Sequence, residues 1–403
     1  MLHIHRIIVL LVLVASATVA RAEEPVSPVP LLVAKEGSVV YMDSNGPRIL
    51  AECLETMDHR MLAGPKKGQF ERRSHPCGFW SLAVHPPTGR WAAALQVTGD
   101  QGANPSPLVS FVVSGRTLSV PTDKAGRAKG GNFLVLGDLN GIVAITPGTL
   151  ETWTEKGRFF AQMPAMFTED GSRVLVSISD TTLTEWWSWS FGPRPESVRV
   201  LPRGMTDTAG NMVLSGEPRT ALRHGRGGVR LATLDPTGKK PWKVGPALPQ
   251  VRRGMLTPAV LGDTMLFYRE GSREETDCEG PGAGTYRRID LRTGQERVWR
   301  RHEGWCSTGD RFDAVSPVRR TVYFLESWSP INYPRLFEYD VERDTTRQIP
   351  VESVSRVKDI SADGRTLLLF AGSGFVLYDV VADSATPLRG LGEADYVRLL
   401  AQP

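Results

Sequence analysis

Short apolar runs separated by polar turns dominate the pattern of this chain, and apolar residues seldom recur at helical spacing. Thr168–Ser172 is a polar turn that precedes the apolar run Val174–Val176, and Ser361–Arg365 precedes Leu367–Phe370 in the same way. Continuous apolar runs of this length are typical of strands that are covered on both faces. The pattern therefore predicts an all-β protein.

A recurring strand end followed by a turn gives the period of the fold. Clear examples contain Tyr41–Asp43, Leu234-Asp235, Ile289–Leu291, Tyr339–Val341 and Tyr378–Val380, and weaker ones lie at Val113–Gly115, Ile145–Gly148 and Phe191-Gly192. These eight units recur about every 48 residues, and strand repeats of that period indicate propeller blades. We predict a β-propeller of seven or eight four-stranded blades.

The two ends of the chain predict how the ring closes. Residues 31–53 supply only three strands, and Tyr396–Leu400 is a lone apolar strand at the other end. Adding this C-terminal strand to the first blade would complete the blade and remove an exposed sheet edge. No linker divides the chain, so residues 23–403 are expected to form a single domain.

The repeats resemble the WD40-like repeat of the Tol-type periplasmic propellers, which reads roughly S-P-D-G-x-x-L, a strand, and L-Y-x-x-D. The best match consists of Ser361, Asp363, Gly364, Leu367 and the later Leu377-Tyr378-Asp379; a partial match runs from Ser316-Pro317 to Tyr339-Asp340. This resemblance implies a propeller fold outside the cytoplasm. The chain lacks room for the additional N-terminal α/β domain of the Tol propeller, so a Tol role does not follow.

The N-terminus has the features of a secretory signal. Ile7–Val14 is an unbroken apolar run after Arg6, and Ala20-Arg21-Ala22 matches the A-x-A cleavage pattern. This run is too short to span a bilayer, which needs roughly 20 apolar residues. We expect residues 1–22 to be removed and the mature chain to be exported to the periplasm, cell surface or medium, without a membrane span.

Charge and cysteine content fit such an exported chain. Residues 1–22 include two of the 48 basic residues and none of the 44 acidic ones, so the mature net charge is +2 and nucleic acid is not an expected partner. Four cysteines allow three pairings. Disulfides are expected in an oxidising compartment. We favour the local pairs Cys53–Cys77 and Cys278–Cys306, because the cysteines of each pair are close enough in sequence to tie one loop region.

Signatures of catalysis are weak in this sequence. There is no G-x-S-x-G motif, the histidines around Cys77 are irregularly spaced, and the acidic stretch Glu270–Glu279 matches no calcium loop. We therefore predict no catalytic residue, no metal site and no cofactor.

Tryptophans are the other candidates for function. Trp187, Trp189 and Phe191 would share one face of a strand and Trp186 the other. They could pack between blades or form an exposed surface for a sugar or a protein, joined there by Trp305 and Trp328 on later blades. Both alternatives remain open at this stage.

The sequence as a whole favours a non-catalytic propeller that acts as a protein-interaction scaffold for envelope proteins. Its contact surfaces would be the long loops near Cys53–Cys77 and Gly271–Gly284. The alternative is a propeller enzyme or glycan-binding protein, with its site at the central channel or at the Trp186–Trp189 segment. The sequence leaves the oligomeric state open.

Overall fold

A computed structural model describes residues 27–60, 69–97, 109–119, 131–147, 161–179, 184–199, 212–213, 220–225, 228–234, 242–248, 255–262, 264–270, 285–301, 311–327, 334–392 and 395–401. The predicted export signal at residues 1–22 lies outside this part of the chain. Among the described residues, no helix is long and apolar enough to cross a membrane.

The described residues form strands throughout the chain. The first ten are β1 (Leu31–Lys35), β2 (Ser38–Asp43), β3 (Gly46–Arg60), β4 (Phe70–Pro76), β5 (Gly78–His85), β6 (Arg90–Val97), β7 (Val109–Val113), β8 (Arg116–Ser119), β9 (Gly131–Asp138) and β10 (Gly141–Pro147). The next ten are β11 (Ala161–Phe167), β12 (Arg173–Ser179), β13 (Thr184–Ser190), β14 (Ser197–Arg199), β15 (Met212–Val213), β16 (Thr220–Gly225), β17 (Gly228–Leu234), β18 (Trp242–Leu248), β19 (Met255–Leu261) and β20 (Met265–Glu270). The last eleven are β21 (Thr285–Asp290), β22 (Glu296–Arg301), β23 (Arg311–Ser316), β24 (Thr321–Glu326), β25 (Arg335–Asp340), β26 (Thr345–Gln348), β27 (Val354–Ile360), β28 (Thr366–Ala371), β29 (Gly374–Asp379), β30 (Ser384–Leu388) and β31 (Tyr396–Leu399).

These strands assemble into seven antiparallel sheets within the described part of the chain. Sheet 1 has the order β31-β1-β2-β3-β7-β8, with β4 also paired to β3, and sheet 2 has the order β5-β6-β9-β10. Sheets 3 to 7 each use four consecutive strands, from β11–β14 to β27–β30. The first strands of neighbouring sheets pack against each other, as β5 does with β11 and β23 with β27. The chain is therefore an all-β propeller.

One of the eight predicted units does not define a sheet of its own. Val113-Ser114-Gly115 is the turn of the hairpin β7–β8, which lies between β6 and β9 in sequence but pairs with β3 of sheet 1. The corresponding turn of sheet 2 is Asp138–Gly141, between β9 and β10. The described strands thus form seven sheets, which agrees with the smaller of the two predicted blade numbers.

The C-terminal strand completes sheet 1. β31 pairs with β1 from Leu31 opposite Leu399 to Ala34 opposite Tyr396, which is the pairing that the sequence indicated. The neighbouring sheet supports it, because the Leu399 backbone N–H donates to the Asp359 carboxylate at 2.8 Å. Ring closure therefore combines strand pairing with a contact from sheet 7.

Apolar side chains fill the wedges between neighbouring sheets. The wedge between sheets 1 and 2 contains the fully buried Trp91, whose indole N–H donates to the Asp138 carbonyl at 2.9 Å. A side chain at Gly137 would lie 2.1 Å from the Trp91 ring, so the close approach requires glycine there. The two runs that the sequence predicted to be covered on both faces, Val174–Val176 and Leu367–Phe370, are buried throughout.

The aspartate that ends the third strand of sheets 5, 6 and 7 has a structural role. Asp290, Asp340 and Asp379 each accept the backbone N–H groups of the residues two and three positions later, at 2.8 to 2.9 Å. Such bonds shape a tight turn. The repeat seen in the sequence is therefore a repeat of turn chemistry.

Candidate functional site

The two ends of the propeller carry different kinds of connection. In a sheet of four antiparallel strands, the first and third turns lie at one end, and the second turn and the link to the next sheet lie at the other. The first set is short, as in Asp138–Gly141 and Asp340–Thr345. The second set includes long segments, such as those from Val97 to Gly131 and from Glu270 to Thr285. We call these ends the turn face and the connection face.

A small additional sheet extends from the connection face. The first part of β3 pairs with β2, but from Cys53 onward β3 pairs with β7 and from Leu54 onward with β4. We call Cys53–Arg60, β4, β7 and β8 the projecting sheet. It is built from the link between sheets 1 and 2 and from the insertion in sheet 2.

A disulfide anchors the base of the projecting sheet. Cys53 and Cys77 are bonded, with 5.4 Å between their Cα atoms, and each is only 1% exposed. The backbone N–H groups of Gly37 and Cys53 bridge the same point, donating to the carbonyls of Cys77 and Gly37 at 2.8 and 2.9 Å. The predicted Cys53–Cys77 pair is therefore confirmed, whereas Cys278 and Cys306 lie outside the described residues.

An apolar groove runs along sheet 1 to this anchor. Its volume is about 650 Å³, and buried side chains of β1 and β2, among them Val33 and Met42, contribute to its lining. Ile49 and Leu54 of β3 line it as well and are 56% and 51% exposed. Three charged residues also line it: Lys35, Glu36 and Glu52.

The exposed apolar surface continues beyond the groove onto the projecting sheet. Leu54 lies directly opposite Val112 of β7, which is 36% exposed. Directly paired residues of antiparallel strands present their side chains on the same face of the sheet. Leu54 and Val112 therefore form one patch that continues from Ile49, and exposed apolar patches commonly mark interaction sites.

Charged residues of the innermost strands serve the ring itself. The Val357 N–H donates to the Asp313 carboxylate, as the Leu399 N–H does to Asp359. Burial raises the pKa of both carboxyl groups. The innermost strand of each sheet is an edge strand, so some of its backbone N–H groups have no strand partner. The two carboxylates accept hydrogen bonds from such N–H groups of the neighbouring sheet.

Arginine side chains of the innermost strands also join neighbouring sheets, by donating hydrogen bonds to backbone carbonyl groups. The Arg311 guanidinium donates to the Ser355 carbonyl, and that of Arg398 donates to the Lys358 carbonyl at 3.2 Å. Both bonds join neighbouring sheets. We therefore interpret this charged set as structural rather than catalytic. Among the described residues, no group of three metal-ligating side chains is placed to hold an ion.

The predicted tryptophan surface has a different location from the groove. Trp189 is 7% exposed and packs between sheets 2 and 3, with Trp187 partly buried beside it. These two side chains fill a wedge, so Trp189 does not belong to an exposed aromatic surface. The side chain of Trp186, together with Trp305 and Trp328, lies outside the described part.

Sequence reasoning missed the exposed apolar residues of the groove. Ile49 and Leu54 lie in a strand pattern that looks like ordinary core, and only the tertiary structure shows that both residues are exposed. The long connection near Cys53–Cys77 is one of the two contact surfaces that the sequence predicts, and residues 271–284, the other, lie outside the described part of the chain.

No protein-family model matches the chain. No curated protein matches its sequence either. Solved structures with a similar fold include TolB from Acinetobacter baumannii, with 12% identity, 81% of this chain and 82% of that chain covered, and a TM-score of 0.43.

The β-propeller domain of the Trilobed protease from Pyrococcus furiosus is also similar, with 12% identity, coverage of 78% and 86%, and a TM-score of 0.45. An oligogalacturonate lyase in complex with manganese has 18% identity and a TM-score of 0.39, with 55% of this chain covered. The match spans 63% of the lyase chain, less than two thirds of its length. The fold assignment rests on the sheets of this chain.

Proposed function

We propose that this chain is an exported, non-catalytic propeller that binds a protein of the cell envelope through its connection face. The observation that carries the proposal is the patch of Ile49, Leu54 and Val112, whose side chains are 36% to 56% exposed beside an apolar groove. Exposing such groups to water costs roughly 25 cal/mol per Å², so covering them with a partner is favourable.

The anchor beneath the patch supports the same proposal. Cys53 and Cys77 fix the base of the projecting sheet to the start of β5, so a partner would meet a preformed surface. A rigid surface loses less conformational freedom on binding, which leaves more of the contact energy for affinity. The disulfide also fits an oxidising compartment, in agreement with the proposed export.

A site-specific crosslinking experiment tests the proposal. A photoreactive amino acid replaces Leu54 in one variant and Val318 in the other, in cells that export the protein. Val318 is 69% exposed and lies in the first turn of sheet 6, on the turn face. We expect one recurrent envelope protein to be crosslinked from position 54 and not from position 318.

The captured protein is then purified and titrated against the wild type and the variants Leu54→Asp and Val318→Asp. We expect a weakening of at least tenfold for Leu54→Asp and no change for Val318→Asp, since a carboxylate would have to be desolvated in the patch. Equal crosslinking from both faces, or equal affinity of the two variants, would count against the proposal.

A further inference from the structure

The exposed part of the apolar groove is a narrow strip along β3, formed by Pro47, Ile49, Glu52 and Leu54. The register between β2 and β3 shifts after Ile49, where Leu50 is the extra residue. This bulge places Ile49 and Glu52 on one face, although residues three apart in a regular strand face opposite sides. At the rise of a β-strand the strip is about 20 Å long. An elongated element of a partner therefore matches its shape.

The inner wall of the groove offers side chains and no free backbone. Val33, Val40 and Met42 line it, and they lie in strands that have a paired neighbour on both sides. An extended peptide against this wall would leave its own N–H and C=O groups on that side without partners, which is costly in an apolar contact. An α-helix satisfies these groups internally. The wall therefore favours a helix as the occupant.

The outer edge of β3 is closed to an added strand at two points. Pro47 has no backbone N–H to donate. The Glu52 N–H donates to the Ser114 hydroxyl at 3.1 Å, and the Glu52 carbonyl accepts the Ser114 N–H at 2.7 Å. From Cys53 onward β3 is paired with β7. Only residues 48–51 remain, fewer than the roughly five or six of an average strand, so strand addition is disfavoured.

Charge is concentrated at one level of the groove. Ser38 of β2 lies opposite Lys35 on one side and Glu52 on the other, and Glu36 follows in the adjacent turn. Lys35 is half-buried, whereas Glu36 and Glu52 are exposed. The charge that a partner meets at this level is therefore mainly negative. A basic side chain of the partner is attracted there, and an acidic one is repelled.

We infer that the groove binds an amphipathic α-helix of the envelope partner, with a lysine or arginine between two apolar groups. One apolar group packs on Ile49 and the other on Leu54 and Val112, while the basic residue faces Glu36 and Glu52. Ile49 and Leu54 are about 15 Å apart along β3, which corresponds to about ten residues of helix. This inference rests on the proposed function and adds the form and charge of the partner segment.

Crosslinking from two positions tests the form of the segment. A photoreactive amino acid replaces Ile49 in one variant and Leu54 in the other, and mass spectrometry identifies the attachment site in the captured envelope protein. A helix predicts sites about ten residues apart in one segment, and an extended peptide about five. A separation below about eight residues would overturn the inference and leave the proposed function standing. Failure of both positions to capture any envelope protein would refute the proposed function, and this inference with it.

Charge reversal tests the basic residue of the segment. The captured protein is titrated against Glu52→Lys and against Glu342→Lys, a control on the turn face where Glu342 is 67% exposed. We expect Glu52→Lys to weaken binding about tenfold or more and Glu342→Lys to leave it unchanged.

Two further measurements separate binding from folding. Because Glu52 is exposed, Glu52→Lys should unfold at nearly the same temperature as the wild type. Replacing the basic residue of the mapped segment by glutamate should restore the affinity for Glu52→Lys to within about threefold of the wild-type value. Equal affinity of Glu52→Lys and Glu342→Lys, or a mapped segment without a basic residue, would overturn the inference.

Discussion

The junction of sheets 1 and 2 and the junctions among sheets 5, 6 and 7 are held together by different chemistry. The first has the buried Cys53–Cys77 disulfide and a core in which Trp91 is the largest side chain. The second has ion pairs and a dense aromatic cluster, in which Trp299 stacks on Tyr339 with 4.1 Å between ring centroids. Both solve the same problem of joining neighbouring sheets.

The later sheets repeat one arrangement from sheet to sheet. Tyr339 donates its hydroxyl proton to Asp344, which also pairs with Arg297 of the preceding sheet at 2.5 Å. Tyr378 and Asp383 form the same unit with Arg347. Burial and the aspartate partner raise the pKa of both tyrosines, so the hydroxyls remain protonated donors.

The disulfide lies at the irregular junction of sheets 1 and 2, whereas the regular junctions of sheets 5 to 7 are held by side-chain contacts. Regular sheets can be joined by repeated turns and charged side chains, because each sheet offers the same positions to the next. Sheets 1 and 2 are interrupted by β4 and by the β7–β8 hairpin, so these positions are not available in the same form. A disulfide joins this irregular junction and also anchors the projecting sheet.

We expect the largest loss of stability when the ion pair between sheets 5 and 6 is removed. Glu326 is fully buried and forms a two-bond ion pair with Arg300, at 2.5 and 2.8 Å. Arg300→Met leaves a buried carboxylate without this partner, and we expect a loss of about 4 kcal/mol in the free energy of unfolding. Urea denaturation followed by circular dichroism measures it.

The neighbouring residue provides a matched control for this variant. Arg301 is exposed at the end of the same strand, so Arg301→Met should change stability by less than about 0.5 kcal/mol. The double variant Arg300→Met with Glu326→Leu should recover most of the loss. Equal stability of Arg300→Met and Arg301→Met would show that the ion pair does not hold this junction.

The next effect concerns the irregular junction. Cys53 and Cys77 are 24 residues apart, and the double variant Cys53→Ala with Cys77→Ala should lose about 3 kcal/mol, because the unfolded chain regains loop freedom. Chemical denaturation of oxidised wild type and variant measures the difference. Since the sulfurs are buried, brief reductant treatment of the folded wild type should leave it intact. A loss below about 1 kcal/mol would contradict a supporting role for the disulfide.

The smallest effect concerns a repeated turn of sheet 7. The Ser361 hydroxyl and the Arg365 backbone N–H hold the pKa of Asp363 below its usual value. Because the folded pKa is lowered, this stabilisation is present above the unfolded pKa of about 4 and is lost as the pH falls through the folded value.

The measurement compares the wild type with Asp363→Asn between pH 5 and pH 2. The wild type should lose more stability on acidification than the variant, by less than about 1 kcal/mol, since the turn is exposed. Parallel pH profiles of the two proteins would show that this turn contributes no pH dependence.

Much of the regular architecture was predictable because its signals are local. The turn units at Asp290, Asp340 and Asp379 lie within a few residues of the strands that they join, so the sequence displays them directly. The Cys53–Cys77 pair was also predictable from the proximity of the two cysteines in sequence and from the expected oxidising compartment. The unit at Val113–Gly115 was counted as a blade because a hairpin turn looks the same in sequence whether it lies within a blade or in an insertion.

The candidate sites were less accessible to sequence reasoning. Ile49 and Leu54 look like core residues in the sequence, because the exposure of a strand residue depends on what packs against its face of the sheet. Trp189 packs between blades, which is one of the two alternatives that the sequence left open, and its partners in sheet 2 are far away in sequence.

The sequence by itself determined the class of strands and the repeated turns, because local propensity and short loops specify these features. It also indicated the closing C-terminal strand and one disulfide, because the first sheet lacks a strand and two cysteines lie close together in the chain. Only the tertiary structure decided that β7 and β8 join sheet 1 and that the apolar surface of β3 stays exposed. These features depend on contacts between residues far apart in the chain, whose geometry no local pattern encodes.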